Sequence, residues 1–511
     1  MRRKPMDEIK QIPVINEKAM NKEDGAESGA ESISADQVQE LDAKATKRLL
    51  RKIDIHVLPM MCLICLLCFL DRSNIGNARL DSLESDLHLT GLQYNDCLAI
   101  LFPFYIAAEI PSNIMMKRIR PATWLSLTML LWSICTIGQS FVASYPSLLT
   151  TRALLGLFEG GFFPGANFYV TQWYRRDECG LRMAVIFSCA TIAGAFGGVL
   201  ARGIAEMSGM GGLAAWSWIF LIEGLASVVV AVGAFWGVCD YPASATFLTP
   251  LERNAVQHRL ATDTGSLSSS PSSSSPFSTK PILLALRDWK IYIHMLICMA
   301  GFCPVYSFSL FLPTIIRNMG YSANTAQLMS APPYVLACAF TVGASALADR
   351  CRRRGVFLLG FQGVAMTGFV VLLAAGGRPG VQYVGTVLAA IGIYPQIPLG
   401  LAWNSNNIGG SLKRATGIAM QVMGGNCGGI VASYVYLSRD EPRFVVGHSI
   451  LIGFIGMAFV LTLFMTTWCR RENIRRDAAA EGEAMANELT AEQKELEQEL
   501  ADDNPWFRYT I

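Results

Sequence analysis

Charge is scarce in this sequence. Asp, Glu, Lys and Arg make up 16% of its 511 residues, against about 25% in soluble proteins. At about 150 residues per domain a soluble chain of this length would have three or so domains, and the low charge argues against that and against a soluble enzyme. An excess of either sign is lacking too. With 42 Lys and Arg against 40 Asp and Glu, no basic field points to nucleic acid. The first 50 residues are polar and hold no apolar run, so no cleaved signal peptide is expected. Asn-x-Ser/Thr acceptors are absent. The 14 Cys do not form a secreted disulfide framework. Cys62, Cys65 and Cys68 step by three along one helix, where a soft-metal site is conceivable but small hydrophobic filler is the better reading. No metal cluster, nucleophile triad or phosphate-cradling loop stands out, so neither an enzyme nor a cofactor is expected.

What the sequence has is hydrophobic length. Twelve apolar segments lie at roughly 53–80, 94–116, 123–142, 148–172, 183–206, 216–238, 290–312, 327–348, 355–376, 382–403, 415–436 and 448–468. Each approaches the run of about 20 residues that spans a bilayer. The expected fold is an all-α membrane protein of twelve transmembrane helices in two pseudo-symmetric six-helix bundles, 53–238 and 290–468. A polar arm (1–52) precedes them. A middle loop (239–289) separates them, and its Ser- and Pro-rich stretch Thr264–Thr279 reads as a flexible linker. An acidic tail (469–511) follows and reads as solvated, with Ala484–Leu500 able to form a short helix.

Basic residues set the expected orientation. The loops after segments 2, 4, 8 and 10 hold twelve Lys and Arg, those after the odd segments five. The positive-inside rule puts the first set, both termini and the linker in the cytoplasm. A multi-pass protein of the plasma membrane, acting as a monomer in the lipid bilayer, is the expectation.

A charge at the bilayer centre costs about 2.5–3.5 kcal/mol on insertion scales, so charges inside apolar segments are functional candidates. Asp71 and Arg72 follow Ile55–Leu70, a 16-residue stretch without Asp, Glu, Lys or Arg. That is short of a span, so the helix either includes the pair or ends there with a snorkelling Arg. Arg152 and Glu159 stand seven residues apart, on one helix face about 10 Å from each other. They are too distant to pair directly, and could hold an anion and a proton separately or form a structural network. Burial penalises the charged form of Glu159, which is what a proton carrier needs. Glu109 reads as gating or structural, Glu223 as structural, and Arg202 as interfacial. In the second half the polar candidates are uncharged: Tyr306 in segment 7, then Gln421 and Asn426 in a Gly-rich segment 11.

The loop after segment 8 reads Leu347-Ala348-Asp349-Arg350-Cys351-Arg352-Arg353-Arg354. It resembles the Gly-x-Leu-Ala-Asp-Arg-x-Gly-Arg-Arg motif of the major facilitator superfamily, departing at Ser345 and Arg352. Asp349 and Arg350 are gating or structural by that likeness. The strings Phe69–Ala78, Glu109–Asn113, Trp403-x-x-Asn406-Asn407, Gly425–Ile430 and Asn504–Tyr509 resemble the fungal allantoate and nicotinate permeases, within the anion:cation symporter branch. The resemblance implies that Asp71, Arg72, Arg152 and Glu159 bind an organic anion and its proton. Arg72 and Arg152 would hold the carboxylate, with Tyr306, Gln421 and Asn426 as further contacts. Asp71 and Glu159 would carry the coupling ion, H+.

The expected function is therefore proton-coupled uptake of a small organic anion such as nicotinate or allantoate, by alternating access. Proton-driven efflux of a secondary metabolite or drug is the alternative. Efflux carriers have a Pro within a helix 5 motif that this chain replaces with Gly194-Ala195-Phe196-Gly197-Gly198. A non-transporting sensor on the same fold would be expected to have longer tails.

Overall fold

Lipid offers no partner for backbone N–H and C=O groups, so a chain of apolar segments must close its hydrogen bonds inside helices. The computed structural model of the protein shows this, and it describes residues 43–264, 280–351, 353–409, 411–483 and 507–511. The Ser-rich run and Ala484–Leu500 lie outside the described residues.

Six spans make the first half: α1 (Ala43–Leu80), α2 (Gln93–Ala99 continued by Leu101–Arg118), α3 (Pro121–Gln139), α4 (Tyr145–Glu159 continued by Phe162–Thr171), α5 (Arg176–Ala205) and α6 (Ala215–Gly237). Six make the second: α7 (Trp289–Arg317), α8 (Ala331–Cys351), α9 (Arg354–Ala374), α10 (Pro379–Ile393 continued by Gln396–Asn406), α11 (Ser411–Ala432) and α12 (Val445–Glu483). Among the described residues ten helices are long and apolar enough to cross a membrane on their own. The other two spans are α4 and α11. The first is broken at Gly160-Gly161. The second carries Lys413, Arg414, Gln421, Asn426 and several glycines.

The helices at the chain's two ends exceed the apolar segments. α1 starts at Ala43 because Leu49, Ile53 and Val57 recur at helical spacing and bury one face. α12 runs on through the charged stretch after Arg470 to Glu483. The tail thus departs from the solvated reading in two places: its first part is helix, and residues 507–511 pack against α7, α10 and α12. The middle loop likewise contains a helix, Pro250–Thr264, tied to the first half by Lys52–Glu252 (2.7 Å) and Arg259–Glu178 (2.5 Å).

Within the first half α1 packs on α5 and α6, α3 on α4 and α6, and α2 on α4. Within the second, α7 packs on α11 and α12, α9 on α10 and α12, and α8 on α10. The halves meet through α1–α7, α2–α11, α5–α8 and α5–α10. The α2–α4 crossing depends on a small residue every four positions. A Cβ on Gly156 would overlap the Leu101 carbonyl oxygen, and one on Gly160 the Tyr105 carbonyl oxygen. Backbones approach this closely only at glycine. The crossing sets the depth of Glu159, which lies between those two contacts.

The two ends of the molecule differ. Call the end where α1 begins and α12 finishes the terminal end. At the opposite end the halves are sewn together. Asn95 donates to the Ser433 carbonyl (2.6 Å), Tyr434 to Asp96 (2.6 Å), Gln327 to Asp81 (3.3 Å) and Arg79 to Ser438 (2.9 Å). At the terminal end Arg354 and the last part of α10 lie against α5, and a pocket of about 50 Å³ remains between the halves, lined among others by Phe163, Asn167, Met183, Arg354, Pro398 and Ser405.

Gly160→Leu should force α2 and α4 apart, and overpacking of this kind costs about 1–3 kcal/mol or more. The expected result is a clear drop in thermal midpoint of the detergent-purified protein. Gly203→Ala, where nothing lies within 4 Å of the new Cβ, should leave it unchanged. Equal midpoints for both variants would refute the packing role.

Candidate functional site

Arg72 is the hub. It lies in α1, which runs straight through Asp71 and Arg72, so the helix includes both charges and buries them. Arg72 Nε donates to Glu159 Oε1 at 2.9 Å, and Nη2 forms a second, shorter bond to the same oxygen. Arg72 Nη1 donates to the Tyr306 hydroxyl at 3.1 Å. The guanidinium also faces the Tyr105 ring at 4.8 Å. Aromatic faces stabilise a desolvated cation.

From Tyr306 the network enters the second half and returns. The Tyr306 hydroxyl donates to Asn426 Oδ1 (2.9 Å), and Asn426 Nδ2 donates to Glu109 Oε1 (2.6 Å). A continuous polar chain therefore runs α4–α1–α7–α11–α2, joining the two halves twice. Every member is at most 5% exposed. Cys68 Sγ adds a bond to Glu159 Oε1 at 3.0 Å. The other carboxylate oxygen, Oε2, is buried without a hydrogen-bond partner among the described residues.

Next to this chain is a narrow space of about 10 Å³, room for about one water, lined by Cys68, Arg72, Tyr105, Phe302, Tyr306, Val422 and Asn426, with Phe69, Phe163 and Phe187 completing it. Phe163 and Phe187 also line the larger cavity at the terminal end. Their rings meet edge to face at 5.9 Å, and Phe69 meets Phe187 the same way at 5.9 Å. These three rings partition the central space from the terminal-end gap.

The structure brings together Arg72, Glu159, Tyr306 and Asn426, and it adds Glu109, which its place in the sequence suggested only as a gate or structural residue. Arg152 sits beyond them. It is 1% exposed, its Nη2 makes one long contact to the Arg72 carbonyl (3.5 Å), and its Nε and Nη1 have no hydrogen-bond partner among the described residues. A buried guanidinium is costly unless paired. Arg152 is thus buried behind Arg72 with little to offset the cost of its burial.

Asp71 is not brought to the cavity. It points from α1 to α6, where Ser227 donates to its Oδ2 at 2.9 Å. One turn further along, Asn74 donates to Glu223 in a second α1–α6 rung. Glu223 is therefore buried inside the first half. Gln421 is also turned away: its amide oxygen accepts from Asn404 at 2.8 Å, and its nitrogen donates to the Gly400 carbonyl at 3.3 Å, closing α11 on α10. Asp349 ends α8 and pairs with Arg354 at 2.6 Å beside Gly180 of α5, and Arg350 lies in the same last turn. Arg202 pairs with Glu206 (3.1 Å) at the far end of α5.

Tyr105 went unremarked in the sequence, and Cys68, read there as small hydrophobic filler, bonds to Glu159 instead. Cys68 carried a signal, since it lies one turn before Arg72 on the same face. Among the described residues no group of three or more His, Cys, Asp or Glu is placed to hold a metal.

Removing one partner of a buried ion pair costs about 3–5 kcal/mol, whereas replacing both by apolar groups is often neutral. Arg72→Met and Glu159→Leu should each lower the thermal midpoint strongly, and the double variant should recover most of the loss. Additive losses would show that the pair is not the unit.

Comparison with known proteins agrees with this architecture. The profile described as Major Facilitator Superfamily matches residues 61–433. An uncharacterized transporter of Schizosaccharomyces pombe is 35% identical over 447 residues, covering 87% of this chain and 90% of that protein. The high-affinity nicotinic acid transporter of Saccharomyces cerevisiae is 30% identical over 463 residues, 91% of this chain and 84% of that one. Among solved structures the proton:xylose symporter XylE superposes with a TM-score of 0.60 at 16% identity, over 80% of this chain and 95% of that chain.

Proposed function

The chain belongs to the major facilitator superfamily, is a multi-pass membrane transporter and not an enzyme, and on that premise we propose that it carries a small organic anion inward together with a proton. The observation that carries this reading is the Arg72–Glu159 pair. Both Arg72 bonds to Glu159 end on a single carboxylate oxygen beside the central cavity. A substrate carboxylate entering that cavity competes with Glu159 for the guanidinium, and Arg favours bidentate pairing with a carboxylate. A proton on Glu159 removes the competitor. Loading of proton and anion is then favourable together and unfavourable singly.

The remaining residues follow from their positions. Arg152, whose Nε and Nη1 have no hydrogen-bond partner among the described residues, adds positive potential behind Arg72 that favours an anion over a neutral solute. Tyr306 and Asn426 supply a donor and an acceptor from the second half, so bound substrate touches both halves. Glu109 is a second carboxyl in reach of the same network through Asn426. Asp71 lies in the α1–α6 interior, and any part in proton coupling is indirect, through the helix that carries Arg72.

Substrate class and direction rest on further support. A relative named a nicotinic acid transporter favours a single-ring monocarboxylate, and so do the string resemblances to fungal permeases of the anion:cation symporter branch. The excess of basic residues in the loops at the terminal end supports a cytoplasmic position for that end and both termini. The gap lined by Pro398 and Ser405 then opens inward, and the sewn end faces outside at the plasma membrane.

One proton with one monovalent anion moves no net charge, so the pH gradient alone drives accumulation, about tenfold per pH unit. Labelled nicotinate uptake in a transporter-null fungal host should rise as the medium is acidified, and a protonophore should abolish accumulation. Glu159→Gln should lose pH-driven accumulation yet keep counterflow of preloaded nicotinate. Accumulation that still follows pH in that variant would sink the coupling role.

A further inference from the structure

The segment 507–511 is seated in a site made for main chain. Asn473 of α12 accepts from the Tyr509 N–H (2.9 Å) and donates to the Tyr509 carbonyl (2.8 Å). Asn407, just after α10, treats the next residue alike, accepting from the Thr510 N–H (2.7 Å) and donating to its carbonyl (3.1 Å). Trp403 Nε1 donates to the same Thr510 carbonyl at 2.8 Å. Two side-chain amides thus pair with consecutive residues as a neighbouring strand would, a mode of recognising an extended peptide.

Selectivity comes from Tyr509, which is 4% exposed. Its ring lies against Trp468 (5.2 Å) and has the Arg476 guanidinium at 4.8 Å and Lys290 Nζ at 5.2 Å. Its hydroxyl accepts from Lys290 Nζ at 3.0 Å. Arg508 pairs with Asp477 (2.7 Å), and Arg476 donates to the Phe507 carbonyl (2.9 Å). The site therefore recognises an extended peptide with an aromatic hydroxyl, preceded by a base.

The segment touches a part of α10 held to the rest of that helix by few bonds, chiefly the Gln396 side chain on the Gly392 carbonyl (2.9 Å). α10 breaks at Tyr394-Pro395, and proline removes the N–H that would continue the ladder. The second piece, Gln396–Asn406, presents Pro398, Leu401 and Ser405 to the terminal-end cavity, while Trp403 faces the docked segment.

We propose that α7, α10 and α12 form a peptide-binding site whose occupant is the chain's own 507–511 segment, and that occupancy holds Gln396–Asn406 in place as a wall of the terminal-end cavity. The site is a latch on one wall of the transport path, distinct from the anion site at Arg72.

The test is hydrogen exchange on the purified full-length protein and on a chain lacking 507–511. Release of the latch should speed amide exchange across 396–409 by about tenfold, as local opening does, with 61–139 unchanged. Adding the synthetic pentapeptide Phe-Arg-Tyr-Thr-Ile at millimolar concentration should restore protection, and the same peptide with Ala for Tyr should not. Tyr509→Ala in the full-length chain should give the same local acceleration, and it replaces the truncation if that chain does not fold. Unchanged exchange at 396–409 in the variant, equal acceleration in both halves, or failure of the peptide to protect the truncated chain would each overturn the proposal.

Discussion

A guanidinium and a carboxylate buried together in a membrane protein constrain everything around them. Taking two such charges out of water costs several kcal/mol per ion, recovered only with close geometry and further hydrogen bonds. Arg72 and Glu159 meet that demand through two bonds to one oxygen, a tyrosine hydroxyl, a cysteine thiol and an aromatic face. Each of those groups comes from a helix whose position is then fixed. α4 must lie close on α2, which Gly156 and Gly160 permit. α7 must bring Tyr306 across the interface, and α11 must bring Asn426 behind it. Of the pair, Arg72 lines the small central space and Glu159 lies behind it, fully buried.

The asymmetry between the ends gives this centre a direction. One end is joined by four cross-half hydrogen bonds whose partners lie in or beside α1, α2, α8 and α11, and at the other a small pocket remains between the halves. Between the gap and the centre stand Phe69, Phe163 and Phe187, apolar rings that can change rotamer without leaving a hydrogen bond unmade. Such a partition separates the charged centre from the gap. The polar chain through Arg72 crosses the interface twice, so a change in its protonation or occupancy acts on the contact between halves.

Much of the fold could be read from hydropathy, because spanning length and backbone satisfaction leave a membrane chain few options. Hydropathy missed the first turns of α1 and the extension of α12, where one face only is apolar and the rest is charged. The site was half legible. The cost of burying charge singled out Arg72, Arg152 and Glu159 without any structure. It could not separate Asp71 from Arg72, since neighbours on a helix point about 100° apart and only packing decides which one meets the cavity. Glu109 was read from its distance along α2, whereas its partner Asn426 lies 317 residues away. The 507–511 segment was judged by its charged surroundings, and its contacts with Asn407 and Asn473 depend on a return of the chain that no local pattern encodes.

The central claim is that an organic anion and Glu159 compete for Arg72, so anion binding takes up a proton. Calorimetric titration of the purified protein with nicotinate, in buffers of different ionisation enthalpy at neutral pH, measures that proton directly. The account predicts uptake of about one proton per nicotinate bound, as linkage requires, and loss of that uptake in Glu159→Gln with binding retained. Binding of nicotinate with no proton uptake in the wild-type protein, or with the same uptake in the variant, would contradict it.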